Sequence, residues 1–199
     1  MVSMTTVVII VAVVLVVAAG LFFAFGRQPG GRGLQRRFGP EYDRTVARHD
    51  GDAKAAEHEL SERLKRHRSL DERPLSPEAR AQYAERWTRI QGGFVDAPQQ
   101  AVTDADTLLA ELARDTGFPD GGDFEEQTAA LSVHHAEHIN GYRRVHAVQR
   151  GEGSTEEMRE AMIEARGLFD VLVSNGTQSN GTQSPVHRDR HHAEGSGTA

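Results

Sequence analysis

The chain contains no cysteine. Disulfides, thiolate metal sites and cysteine nucleophiles are therefore excluded. Lysine is almost missing as well, since Lys54 and Lys65 are the only two, and arginine carries the rest of the positive charge. No charged side chain precedes Arg27. Also absent are the G-x-x-x-x-G-K-[ST] phosphate loop, a G-x-G-x-x-G turn after a strand, the G-x-S-x-G elbow and the kinase signatures. Carboxylates number 29, but no pair is set apart by apolar surroundings, so they read as solvated helix surface. No catalytic or cofactor-binding residue is assigned on these grounds, and a non-enzyme is expected.

What the N-terminus does contain is an uninterrupted apolar run, Thr5 to Phe25. Twenty-one helical residues are about 31 Å long, close to the roughly 30 Å hydrocarbon core of a bilayer. A single segment crossing lipid must satisfy its backbone hydrogen bonds internally, which requires a helix. The competing reading is a cleaved secretory signal. Such a signal needs a basic start and a shorter apolar stretch, whereas only the α-amino group is positive here. Cutting after Val17-Ala18-Ala19 would leave Leu21, Phe22, Phe23 and Phe25 on the new terminus. Arg27, Arg32, Arg36 and Arg37 follow the run, and no acid appears before Glu41. The positive-inside rule then predicts a single-pass plasma-membrane protein with its C-terminal region in the cytoplasm. The same four arginines suit anionic lipid headgroups.

Residues 41 to 199 reverse that balance, with 19 Lys and Arg against 29 Asp and Glu, a net −10. An acidic body repels phosphate backbones, so nucleic acid is not an expected partner. Gly26 to Gly39 holds five glycines and Pro29, and predicts a flexible tether. Beyond it every regular segment reads as helix. Pro40 and Glu41 start one, with Tyr42 and Val46 on a shared face, until Asp50-Gly51-Asp52 interrupts it. Ala56, Leu60 and Leu64 form a narrow line, which predicts a peripheral or extended helix packing on one neighbour at most.

Ser76-Pro77 is a strong start signal, followed by the stripe Ala79, Tyr83, Trp87, Ile90, Phe94. Pro98 opens a helix with Ala101, Val102, Ala105, Leu108, Leu109 and Leu112 on one face, closed by Gly117 and Pro119. Asp123 with Glu126 reads as a cap, and Phe124 and Leu131 begin the next apolar face. Ser132 is expected to cap or bend the chain into a further helix with Ile139, Tyr142, Val145 and His146 inward. Ser154 to Glu157 is a capping box ahead of Met158, Ala161, Met162, Ala165, Leu168, Phe169 and Leu172. After Val173 the pattern stops at two copies of Asn-Gly-Thr-Gln-Ser, and residues 174 to 199 are expected to be disordered.

The sharpest chemical candidate is His134-His135-Ala136-Glu137-His138, an H-x-x-E-H match. On a helix His134 and His138 share a face at i, i+4, as two zinc ligands require, with Glu137 nearby as a base and Glu160 or Glu164 as guesses for a third ligand. The plainer reading is a polar helix face, and no metal site is assigned. His146, beside Tyr142, reads as a hydrogen-bonded core histidine. His187, His191 and His192 fall in the tail, where nothing preorganises them.

The stretches RFGPEYDR (37 to 44), LSPEARAQYAERW (75 to 87), FVDAP (94 to 98), LSVHHAEHINGYRRVH (131 to 146) and STEEMREAM (154 to 162) together resemble an uncharacterised actinobacterial family of small membrane-anchored helical proteins. Its members often carry labels such as "secreted". Around His134 the family pattern more often reads Ser-Val-Asp-His-Pro, so this chain departs from it at His134 and Ala136. The resemblance implies an anchored helical domain and brings no activity with it.

The expected architecture is all-α: an N-terminus (1–4), a transmembrane helix (5–25), a tether (26–39), a helical bundle (40–173) and a disordered tail (174–199). The expected function is a membrane-tethered interaction or scaffold domain without a cofactor. Alternatives are a metal-binding domain using His134 and His138, and an extracytoplasmic or secreted domain sensing the envelope.

Overall fold

The computed structural model describes residues 31–175, whose regular structure is entirely helical. In chain order the helices are α1 (Gly31–Phe38), α2 (Pro40–Arg48), α3 (Ala53–His67), α4 (Pro77–Gly93), α5 (Pro98–Asp115), α6 (Phe124–His134), α7 (Ile139–Ala147) and α8 (Thr155–Ser174). A wide π turn, Val148–Glu152, joins the last two. The apolar run 5–25 lies outside the described residues, as do 26–30 and 176–199. Among the described residues no helix is long and apolar enough to cross a membrane.

The starts of these helices follow their capping chemistry. Ser76 accepts from the Ala79 amide ahead of Pro77, and Asp123 accepts from the Glu126 amide. Asp52 takes the amides of Lys54 and Ala55, while Ser154 and Glu157 close a reciprocal box. Each such cap satisfies helix-end donors that have no partner within the helix.

Helices α4, α5, α7 and α8 enclose the main core. The expected faces of α5 and α8 are buried without exception, from Ala101 to Leu112 and from Met158 to Leu172. Trp87 is buried and stacks on Phe169 at 4.6 Å between ring centres. Helices α7 and α8 come into close backbone contact at Gly141, where a Cβ would lie 2.4 Å from the Ala165 backbone nitrogen. Tyr142 donates its hydroxyl hydrogen to Gln127 Oε1 at 2.9 Å, and Gln127 in turn donates to the carbonyls of Ala110 and Pro119.

A second layer, α1 to α3, lies on α6 and on the α6–α7 corner. Its apolar centre is small: Leu34, Phe38, Leu60, Val133 and Ala136. Here the sequence expectations need correction. The segment expected as a tether is helical from Gly31 to Phe38, because Leu34 and Phe38 fall on one face and are 1% and 0% exposed. A helical glycine costs about 1 kcal/mol, whereas burying Leu34 and Phe38 contributes roughly 1.5–3 kcal/mol each. The buried face of α2 is Glu41 and Thr45, with Tyr42 and Val46 only half-buried. Helix α3 is not peripheral, since it contacts α1, α2 and α6. Ser132 lies inside α6 rather than capping a helix, and the chain turns at His135 to His138. At the other end α8 continues through Ser174, one residue into the segment expected as tail.

Candidate functional site

The α1–α3 layer is held by charge as much as by apolar contact. Glu41 reaches inward from α2 and is 3% exposed. Its carboxylate accepts from Arg63 of α3 at 2.7 Å and from both Nη atoms of Arg143 on α7, one of them at 3.0 Å. Arg63 also donates to Ser132 Oγ at 2.9 Å, and Ser132 passes its own hydrogen to the Ala129 carbonyl. Around this centre Glu59 binds Arg63, Arg48 and His49. Burial opposes the charge on Glu41, but Arg143 and Arg63 outweigh it, and the carboxyl stays below its ordinary range. At Glu59 burial is likewise overcome, by His49, Arg48 and Arg63, and its carboxyl is pulled down to about 2.

The H-x-x-E-H segment lies at the adjacent corner, and the i, i+4 face is not formed. Helix α6 ends at His134, and His138 is the residue before α7. His134 Nε2 lies 3.0 Å from the His67 carbonyl oxygen, which can only accept, so that nitrogen carries the proton. Its Nδ1 is 3.7 Å from Glu72 on the α3–α4 connection, and His135 Nε2 is 3.2 Å from the same oxygen, without a hydrogen-bond angle. His138 instead packs towards Gly167 of α8. Glu160 and Glu164 both pair with Arg144. Among the described residues no group of three His, Cys, Asp or Glu side chains is arranged for a metal ion.

His67 itself is buried, and its Nε2 has no hydrogen-bond partner, the closest carboxylate being Glu126 at 3.7 Å. Burial depresses its protonation, with Glu126 opposing and Arg66 reinforcing the shift. His146 is half-buried: its Nδ1 sits 3.1 Å from Asp106 and its ring stacks on Phe124 at 3.6 Å. It behaves as the hydrogen-bonded histidine its position suggested.

Three of the four candidate lipid-contacting arginines, Arg32, Arg36 and Arg37, are exposed on α1, while Arg27 lies outside the described residues. Arg37 bends back to donate to the Val133 carbonyl at 3.4 Å, and a cleft of about 320 Å³ separates it from His134, His135 and His138. A second cleft, about 290 Å³, runs between α4 and α5 and is lined by Arg86, Ile90, Gly93, Ala97, Ala101 and Asp104. Val95, in the α4–α5 connection, is 87% exposed.

Sequence reading missed Glu41, Arg63, Arg143 and Glu72. One signal was available: Arg63 and His67 fall three and seven residues after Leu60, on the line that begins with Ala56 and Leu60. No protein-family model, no curated protein and no solved structure matches the chain.

Proposed function

We propose that the chain is a membrane-anchored helical interaction domain without catalytic activity. Residues 5–25 span the plasma membrane, the arginines that follow hold the C-terminal body in the cytoplasm, and the α4–α5 groove receives a protein partner. The family resemblance implies the same anchored architecture. The observation that supports this reading most is α1: only five residues separate it from the apolar run, and it is packed into the body by Leu34 and Phe38. A body joined in that way stays at the bilayer in a limited range of orientations. The groove supports the second half of the reading, with Ile90 half-buried along it and Val95, in the connection between the same two helices, 87% exposed.

Photo-crosslinking in living cells tests this. A benzophenone side chain placed at Ile90 or Val95 of the full chain is expected to give one adduct of discrete mass, absent when the probe stands at Arg159. The same background at every position would contradict an interaction role for the groove. Protease added to intact protoplasts is expected to spare the body; digestion from outside would replace this orientation with the extracytoplasmic, envelope-sensing alternative.

A further inference from the structure

We infer that the outward face of α1 is a docking surface for anionic phospholipid headgroups, so that the body rests on the bilayer along this helix; the inference rests on residues 5–25 being a membrane span. Arg32 and Arg36 are four residues apart and lie opposite Leu34 and Phe38, which are sunk in the body. Both arginines are exposed, and among the described residues neither has an ion-pair or hydrogen-bond partner.

The exposed arginines on α4 and α8 are treated differently, whereas Arg68 and Arg73, on the α3–α4 connection, are exposed and unpaired as well. Arg89 pairs with Glu85, Arg159 with Glu156, and Arg166 with Asp170, each within one turn of its own helix. Helix α1 carries no acidic residue with which to do this. Glu57 of α3 lies against Gly31, next to Arg32, where it accepts from Tyr42 rather than pairing with Arg32.

Geometry supplies the occupant. Five residues, 26 to 30, join the apolar run to α1, and extended chain covers at most about 18 Å over that length. A body with net −10 beyond residue 40 is pushed from an anionic surface except along this edge. Each arginine near such a surface favours contact by roughly fivefold. Arg32 and Arg36 therefore set the contact edge, and Leu34 and Phe38 transmit that placement to the body.

The absence of cysteine makes a clean test possible. A nitroxide on Gln35→Cys in the full chain is the only label, and Gln35 is exposed beside the two arginines. With phosphatidylglycerol vesicles the label is expected at headgroup depth, and with pure phosphatidylcholine vesicles in water. Raising the salt to about 1 M, where the Debye length is about 3 Å, releases it from phosphatidylglycerol. Adding Arg32→Gln and Arg36→Gln lowers the docked-to-free ratio about fivefold for each substitution. Equal depth in both lipids, with the chain resisting an alkaline wash, overturns the docking surface and leaves the anchor standing. A chain that alkali strips from both lipids overturns the anchor and the docking surface with it.

Discussion

Helices α4, α5, α7 and α8 meet through Leu, Ala, Phe and one Trp, while α1 to α3 are joined to α6 and α7 by a small apolar cluster and a buried carboxylate between two guanidiniums. Truncating an apolar side chain costs stability through the cavity it leaves, which neighbours fill only in part. Removing one member of a buried ion network costs it differently, by leaving the others charged and desolvated. The two halves of the molecule should therefore respond to opposite kinds of perturbation.

The largest expected effect is on the apolar side. Trp87→Ala removes a buried ring stacked on Phe169 and is expected to cost about 4 kcal/mol, read as a lower guanidinium midpoint with all helices melting together. Next comes Glu41→Gln, at about 3 kcal/mol, because Arg63 and Arg143 lose their counter-charge in a buried place. Its loss is expected to be local, with amides of α1 to α3 exchanging faster while those of α5 and α8 hold. Replacing the whole set, Glu41→Met with Arg63→Met and Arg143→Met, is expected to recover most of that stability. A triple variant no better than Glu41→Gln would show that charge is not what joins the layers.

Acid separates the halves without mutation. The folded-state carboxyls of Glu41 and Glu59 titrate below the ordinary 4.5, Glu59 at about 2. Their contribution is fully present above about pH 4.5 and fades as pH falls towards 2, since the unfolded chain binds the protons first. His67 acts in the same direction at higher pH: its folded form favours the neutral ring, so its environment loses stability as pH drops through 6.5. Hydrogen exchange from pH 7 to pH 3 is expected to open α1 to α3 before α5 and α8. Among the smaller effects, Ser154→Ala is expected to cost about 1 kcal/mol through its capping box, and the exposed Arg89→Ala less than about 0.5 kcal/mol.

The contrast also explains what was legible in the sequence. Periodicity names the buried faces of α5 and α8 correctly because every inward residue there is apolar, and hydrophobic spacing is what such reading measures. In α2 and α3 the inward residues include Glu41, Thr45, Ser61, Arg63 and His67, which the same reading assigns to solvent. Helix α1 was hidden for another reason: its glycines and arginines outweigh, in local terms, the Leu34–Phe38 pair whose burial depends on α3 and α6 being present. The histidine corner shows the limit of motif spacing, since the turn after His134 sends His138 to α8 and gathers His134 and His135 on Glu72, 62 positions before the first of them and beyond any short pattern.

The central claim is that α1 belongs to the body and is packed on α3 and α6. Residue-resolved hydrogen exchange of the full-length chain tests it most directly. The amides of Gly31–Phe38 are expected to be protected together with those of Ala53–His67, and to lose protection together on Glu41→Gln. Free-peptide exchange rates across Gly31–Phe38, with Ala53–His67 still protected, would contradict the account and restore a flexible tether.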